Sequence, residues 1–255
     1  MKRPETKTPR RHSRHKRRVI NKKRLLLSVF LLVIGIQVLF VLLTSPTFAV
    51  KKVKVIQNQT ISDRQVLQAL RLRKDANIFR IKEQSVLVDV RRNPVVQEAS
   101  LHRRIPSTLI VTISERKPQF VLNSSGALYE VDLSGIPFRV EKTLDPKLPV
   151  IECQVRKRII LGRPIKDSDF AAARECLLLA QAKKVFSGIR ITVDQKSYVC
   201  LNNGDDFQVK LGRPEQLARK LDVAEQVIQQ SPEFQKRGAY IDVTCPEAPA
   251  YKLKE

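Results

Sequence analysis

Three kinds of side chain in this sequence could carry chemistry: histidine as base or metal ligand, cysteine as nucleophile or cross-link, and paired carboxylates as a cation site. The histidines are His12, His15 and His102. The first two lie in a basic terminal stretch without the apolar periodicity that would fix them in space. His102 sits in Leu-His-Arg-Arg, the setting of an exposed strand or turn residue rather than a base. The four cysteines, Cys153, Cys176, Cys200 and Cys245, have spacings of 23, 24 and 45, which match no zinc motif. An oxidising compartment would allow three pairings among them. As small buried hydrophobes they need no pairing. The spacing leaves one disulfide and none equally open. Asp205-Asp206 stands by a turn without the further ordered oxygen ligands a cation requires. Glu115-Arg116 reads as a charged strand exit. There is no G-x-S-x-G elbow, no G-x-x-x-x-G-K loop and no G-x-G-x-x-G turn. With no nucleophile, base and orienting group in one set, the expectation is a protein without catalytic residues, metal or cofactor.

The elements around these residues point to a membrane instead. Leu25 to Leu43 is a charge-free apolar run of 19 residues, with Gln37 its only strongly polar side chain. As a helix it spans about 28 Å, close to the hydrocarbon thickness of a bilayer. The 24 residues before it hold 12 Lys or Arg against one acid, Glu5, and so carry +11 of the formal +23. Basic flanks stay in the cytoplasm, so everything after Pro46 is expected outside. Thr47-Phe48-Ala49 would pass as a cleavage site of a secretory signal. The long basic region and long apolar run favour a retained anchor. The tail, with Pro, Thr, Ser and Arg and no apolar periodicity, is expected to be disordered and attracted to anionic lipid headgroups. It lacks the aromatics and folded reader of a nucleic-acid binder, so no nucleic acid is expected.

The first exported stretch reads strand, helix, helix, strand, strand. Residues 48–57 alternate β-branched residues with lysines. Ser62-Asp-Arg-Gln65 is a capping box, followed by Val66, Leu67 and Leu70 on one stripe. Residues 82–92 satisfy a strand through Val86, Val88 and Val90 and a helix through Leu87, Val90 and Arg91, and pattern alone does not decide. Asn93-Pro94 ends that element. Residues 95–102 and Thr108 to Ile113 are strands separated by a turn at 103–107.

The second stretch opens near Gln119 with a hairpin around Asn123-Ser-Ser-Gly126 and a turn at Asp132 to Gly135. Leu161-Gly-Arg-Pro164 and Leu211-Gly-Arg-Pro214 are identical tetrapeptides, 50 residues apart. Each is read as a strand–turn–helix corner, with Pro near the helix start. The helices that follow place Phe170, Ala173, Cys176, Leu177 and Ala180, then Leu217, Leu221, Ala224 and Ile228, inward. Strands are expected at 189–193, 198–201, 206–211 and 238–245, the last of these ending ten residues before Glu255.

The ordered set VKKVKVIQNQTIS, NIFRI and NPVVQEASLHRRIPSTLIVTISERKP resembles the POTRA module of the bacterial FtsQ/DivIB cell-division family. Pro94, Val96, Ala99, Leu101, Arg103, Pro106, Leu109, Val111, Ile113, Glu115, Arg116 and Pro118 carry the likeness. Gln57-Asn58 departs from the Gly-Asn usual there. Val193-Asp194, Asn203-Gly204, Leu211-Gly212 and Tyr240-Ile241-Asp242-Val243 resemble that family's second domain. The resemblance makes residues 82–92 a helix. It implies an α+β fold: a single transmembrane helix, a POTRA domain of order βααββ, and a β-rich domain with two helices. The divisions are a tail at 1–24, the anchor at 25–45, the POTRA domain at 46–118 and the β-domain at 119–255.

The same resemblance implies a non-catalytic single-pass scaffold of the inner membrane at the division septum, with its C-terminus outside. It implies FtsB- and FtsL-like partners, further contacts through the POTRA domain, and work that coordinates septal peptidoglycan synthesis. By position it puts partner binding on Tyr240, Ile241, Asp242, Val243, Thr244, Cys245, Glu247, Pro249, Ala250 and Tyr251, through addition of a strand to an exposed sheet edge. Thr244 departs from the Arg usual there, and Pro246 and Pro249 each remove a backbone donor. Two other readings remain: a POTRA-bearing translocation or outer-membrane assembly component, which would want a barrel of many strands, and an anchored cell-wall-binding protein, which would want an aromatic groove that 5% aromatics and no Trp hardly furnish.

Overall fold

The structure is a computed structural model that describes residues 22–73, 75–204 and 207–254. The disorder expected of the tail and the cation reading of Asp205-Asp206 fall outside the described residues, apart from the last three residues of the tail. Helix α1 spans Lys22–Thr44 and buries none of its residues. An apolar helix with no polar face and no buried residue is long and apolar enough to cross a membrane. A short 3-10 turn, Pro46–Phe48, leads into β1, Lys52–Ile56.

The first folded unit is a three-stranded sheet under two helices. Helix α2, Asp63–Leu70, starts on the capping box: the Gln65 N–H donates to Ser62 Oγ at 3.4 Å and the Ser62 N–H donates to Gln65 Oε1 at 3.1 Å. Val66 and Leu70 are buried, whereas Leu67 is 43% exposed and does not belong to the core stripe. Eight residues of helix place only i and i+4 squarely over the sheet. Helix α3, Glu83–Arg91, settles the ambiguous segment: Leu87 and Val90 are buried, Val86 packs beside them at the core, and Val88 is exposed. Strand β2, Val96–Arg104, runs two residues into the expected turn, and β3, Thr108–Glu115, lies in the middle. The order is β1-β3-β2, with β1 parallel and β2 antiparallel to β3. Glu115 closes the unit. Its carboxylate accepts the N–H groups of Gln59, Thr60 and Ile61 at 2.8 to 3.0 Å. Partial burial pushes its carboxyl up, but these backbone donors together hold it below the usual range.

The second unit is one nine-stranded sheet: β4 Phe120–Ser124, β5 Ala127–Val131, β6 Pro137–Glu141, β7 Val150–Cys153, β8 Ile189–Val193, β9 Val199–Asn203, β10 Phe207–Gly212, β11 Gly238–Asp242 and β12 Ala250–Leu253. The order across the sheet is β12-β11-β10-β9-β8-β7-β4-β5-β6. Three pairs are parallel: β4 with β7, connected through β5 and β6, and two that need helical crossovers, β7 with β8 and β10 with β11. Helix α4, Ser168–Gln181, supplies the first, and α5, Leu217–Gln230, with the short α6, Pro232–Arg237, supplies the second. The unit thus carries three helices, one more than expected. The nine inward residues expected on α4 and α5 are all buried in one core with Ile151, Ile191, Leu201, Val209 and Ile241. Lys183, just past α4, reaches Asp222 at 2.6 Å and Glu225 at 2.7 Å on α5 and ties the crossovers together.

The repeated tetrapeptide has a different basis from the one expected. Neither proline starts a helix: Asp167 caps α4 through its carboxylate, and Gln216 is the residue before α5. Leu161 does not follow a strand either, but lies in a loop between β7 and α4. What the copies share is a glycine in the left-handed region, φ +79° at Gly162 and +67° at Gly212. A side chain at Gly212 would collide with the Thr244 methyl at 2.7 Å, and one at Gly162 would press tightly on the Pro94 backbone at 3.3 Å.

Candidate partner-binding edge

The residues singled out for partner binding fall into three places. Tyr240, Ile241 and Asp242 lie on β11, which is no edge: β10 pairs with it on one side and β12 on the other. The strand expected at 238–245 ends at Asp242, and the chain then turns through Val243, Thr244, Cys245, Glu247 and Pro249. Ala250 and Tyr251 lie on β12, the strand that the sequence did not reveal. The free edge of the sheet is therefore one strand further out than β11. The local signal for β12 is slight: a four-residue run, Ala-Tyr-Lys-Leu, just after Pro249. What makes it a strand is β11, which pairs with it in the register Ile241↔Tyr251 and Asp242↔Ala250.

The turn is stiffened from within. The Val243 N–H donates to the Lys210 carbonyl at 3.0 Å, and the Thr244 N–H to Asp242 Oδ1 at 3.0 Å. Ile241 and Val243 are fully buried, so their side chains serve the core. The Lys220 ammonium, 95% buried, donates to the carbonyls of Leu211 and Arg213 at 2.7 and 2.8 Å and holds the corner against which Thr244 rests. Glu247 pairs with Arg219 at 3.0 Å, both side chains being more than half exposed. Its own backbone N–H, the Cys245 thiol and Arg219 keep its carboxyl below the usual range.

Strand β12 presents a mixed surface. Tyr251 is 51% exposed and lies edge-on to Phe234, with ring centroids 5.8 Å apart, and Phe234 in turn meets Phe207 at 5.1 Å. These three rings anchor the last strand to the helical face. On the open face Tyr240 lies beneath the Lys210 ammonium, 3.9 Å from its ring centroid, next to Lys252. The Lys254 N–H and the Arg237 carbonyl are hydrogen-bonded at 2.6 Å, and Arg237 Nη2 donates back to the Lys254 carbonyl at 3.1 Å. A short, pinned strand with a sheet neighbour on one side only is a template for another chain.

All four cysteines are free thiols; Cys153 and Cys176 are buried, Cys200 is half-buried and Cys245 exposed. Burial pushes the Cys153 and Cys176 thiols up to about 12, so both stay protonated at neutral pH and act as small core hydrophobes. Among the described residues no three of His, Cys, Asp and Glu gather as a metal would need.

Comparison with known proteins agrees with this architecture. Residues 48–116 match the model of an FtsQ-type POTRA domain, and residues 120–244 match that of the C-terminal part of the cell division protein FtsQ/DivIB. Similar proteins include the cell division protein DivIB of Clostridium acetobutylicum, 25% identical over 82% of this chain and 85% of its own length. Cell division protein FtsQ of Syntrophotalea carbinolica is 26% identical over 71% of this chain and 68% of its own length. Cell division protein FtsQ of Mycobacterium tuberculosis is 26% identical over 90% of this chain and 69% of its own length. Both family models, in chain order behind an apolar helix, describe one protein family, and the chain belongs to it: the FtsQ/DivIB family of cell-division proteins.

Proposed function

We propose that this protein is a non-catalytic, single-pass scaffold of the bacterial divisome. Its basic tail lies in the cytoplasm, its anchor crosses the inner membrane at the septum, and its two folded units stand outside. The POTRA unit meets other division components. The second unit captures an extended segment of an FtsB-like partner, with FtsL beside it, and so couples assembly to septal peptidoglycan synthesis.

The single observation that supports this reading is the β12 edge. Backbone hydrogen bonds to an added strand supply affinity, and side chains flanking it supply selectivity. Tyr251, exposed yet packed on Phe234, is a stiff apolar contact of the kind that dominates interfaces. The turn residues Thr244, Cys245, Glu247 and Pro249 form the rim beside it. Ile241 and Val243 contribute only by holding the strand in place. The measurement is an affinity titration of the full chain in detergent with an FtsB-like peptide. Removing residues 246–255 should weaken binding by about a hundredfold while hydrogen exchange in β1–β3 stays unchanged. Charge reversal at Glu247 should cost about threefold or less, since an exposed rim charge is worth little. Undiminished affinity after the deletion would move the contact elsewhere, first to the POTRA face around Val53 and Thr108 to Ile113.

A further inference from the structure

A cavity of about 680 Å³ lies where α1 leaves the apolar segment, and one of its walls is the last turn of that helix, Leu43 and Thr44. The opposite wall comes from the segment between α2 and α3, with Arg71, Arg73, Arg80 and Lys82 around it and Asp75 the only acid on the lining. This placement is fixed. Asn77 Nδ2 donates to the Leu42 carbonyl at 2.9 Å, the Val50 N–H to the Ala76 carbonyl at 2.9 Å, and the Ile78 N–H to the Phe48 carbonyl at 2.8 Å. Arg103 holds the same segment from behind, with Nε on the Ile78 carbonyl at 3.0 Å and Nη2 on the Ile81 carbonyl at 2.7 Å. The cations are therefore held at the level of the helix exit and do not float on a loop.

Their charge is unspent. Arg71 is shared with Asp89, Nε to Oδ2 at 3.1 Å. Arg73, Arg80 and Lys82 are exposed, and among the described residues their side chains have no hydrogen-bond or ion-pair partner. A structural role in the fold leaves these three unexplained. With α1 in a bilayer, the apolar wall at Leu43 would border the acyl chains and the rim would stand at the level of the headgroup layer, which adds roughly 5 to 8 Å outside the hydrocarbon on each side. Guanidinium and ammonium groups at that depth match a phosphodiester, with forked donors from arginine.

We propose that this cavity binds the phosphate headgroup of an anionic phospholipid in the leaflet on the folded side of the membrane, with Arg73, Arg80 and Lys82 as its cationic contacts. Such a contact would fix the tilt of the POTRA unit on the bilayer, because the segment that carries the cations is strapped both to α1 and to the stretch Phe48 to Val50 that leads into β1. It is separate from any attraction of the basic tail, which lies at the other end of α1, and independent of the β12 reading.

The test uses the full chain in nanodiscs of equal phosphatidylglycerol and phosphatidylcholine, with retained lipid counted by native mass spectrometry. The R73Q/R80Q/K82Q variant should retain at least about tenfold less phosphatidylglycerol, since each charge lost near an anionic surface is worth about 1 kcal/mol. Phosphatidylcholine retention should not change. The R73K/R80K/K82R variant should keep the lipid, which separates lost charge from lost fold. The tenfold difference should persist when the basic residues before Lys22 are neutralised in both proteins. Equal phosphatidylglycerol retention in wild type and the triple Gln variant would overturn the site. Equal retention of both lipids by wild type would do the same. Displacement of the lipid by millimolar inorganic phosphate would assign the cavity to a soluble anion and overturn the lipid.

Discussion

The two ends of the nine-stranded sheet are built by opposite rules. At the β6 end the first residue is Pro137, which has no N–H to offer, and its carbonyl takes the Gly162 N–H at 2.7 Å. Arg139 lies against the Phe138 ring at 5.7 Å and between Glu130 and Glu141 at 3.1 and 3.8 Å, so charge flanks the strand. The POTRA unit also docks near this end. Arg116 donates to the Pro94 carbonyl at 3.1 Å and pairs with the Asp132 carboxylate, while Gly162 rests against Pro94. At the β12 end there is a four-residue strand with an exposed tyrosine and two lysines nearby. Sheet edges invite unwanted pairing, and proline, charge and packing are the usual means of blocking it. One edge has all three. The other has an aromatic platform, the asymmetry expected if β12 is the docking edge proposed above.

The strongest way to break the contrast is Arg116→Ala. Both partners of this pair are largely buried, with side chains 13% and 9% exposed, so the change leaves the Asp132 carboxylate without its cation and with only the Ile136 N–H, at 2.9 Å, still donating to it. A loss of about 3 kcal/mol is expected. It should show as faster hydrogen exchange in β4–β6 with β10–β12 untouched, and uniform loosening of the whole sheet would mean the two ends are not independent. Deleting residues 246–255 comes next: partner affinity should fall by about a hundredfold, or about 2.7 kcal/mol, without faster exchange at β6. Tyr251→Ala keeps the strand but removes its platform. About tenfold weaker binding is expected by calorimetry, and no loss would mean that the backbone edge alone carries recognition.

The smallest effect sharpens the closed end. Burial raises the Glu130 carboxyl above its ordinary 4.5, Arg139 opposes this, and Glu141 and Asp145 reinforce it. Glu130 Oε2 lies 3.1 Å from Arg139 but out of line for a hydrogen bond, and it has no other partner. A raised carboxyl binds its proton more tightly in the folded state. Stability contributed by protonated Glu130 is therefore lost as pH rises from 4.5 through the raised folded value, and is flat beyond it. Glu130→Gln should gain on wild type across that window in urea titrations, with Arg139 still served by Glu141. A gap that widens toward acid pH instead would contradict the sign.

Much of the fold was legible because it rests on neighbours in sequence. The anchor follows from 19 apolar residues, α2 from its Ser62–Gln65 box, and the buried faces of α4 and α5 from helical spacing. The hairpin at 120–131 declared itself through its turn. Segment 82–92 did not, since valines at every second position satisfy both periods until a sheet is there to choose one face. Leu67 failed likewise: an apolar type at a helical interval is buried only if something lies opposite it.

The candidate site divides in the same manner. Sequence marked 240–251 as the region, but took β11 for the edge. Strand β12 has too few residues to announce a period, and its existence depends on β11, itself placed beside β10 by a crossover through α5 and α6. The cavity at the helix exit likewise needs Leu43 and Arg80 brought together from positions far apart in the chain. Local spacing alone determined which residues prefer helix, strand or membrane, because those preferences act within a few residues. Which strand stands last in the sheet, and which cations share a cavity, only the tertiary structure decided, because both depend on contacts between segments whose separation in sequence carries no information about their approach.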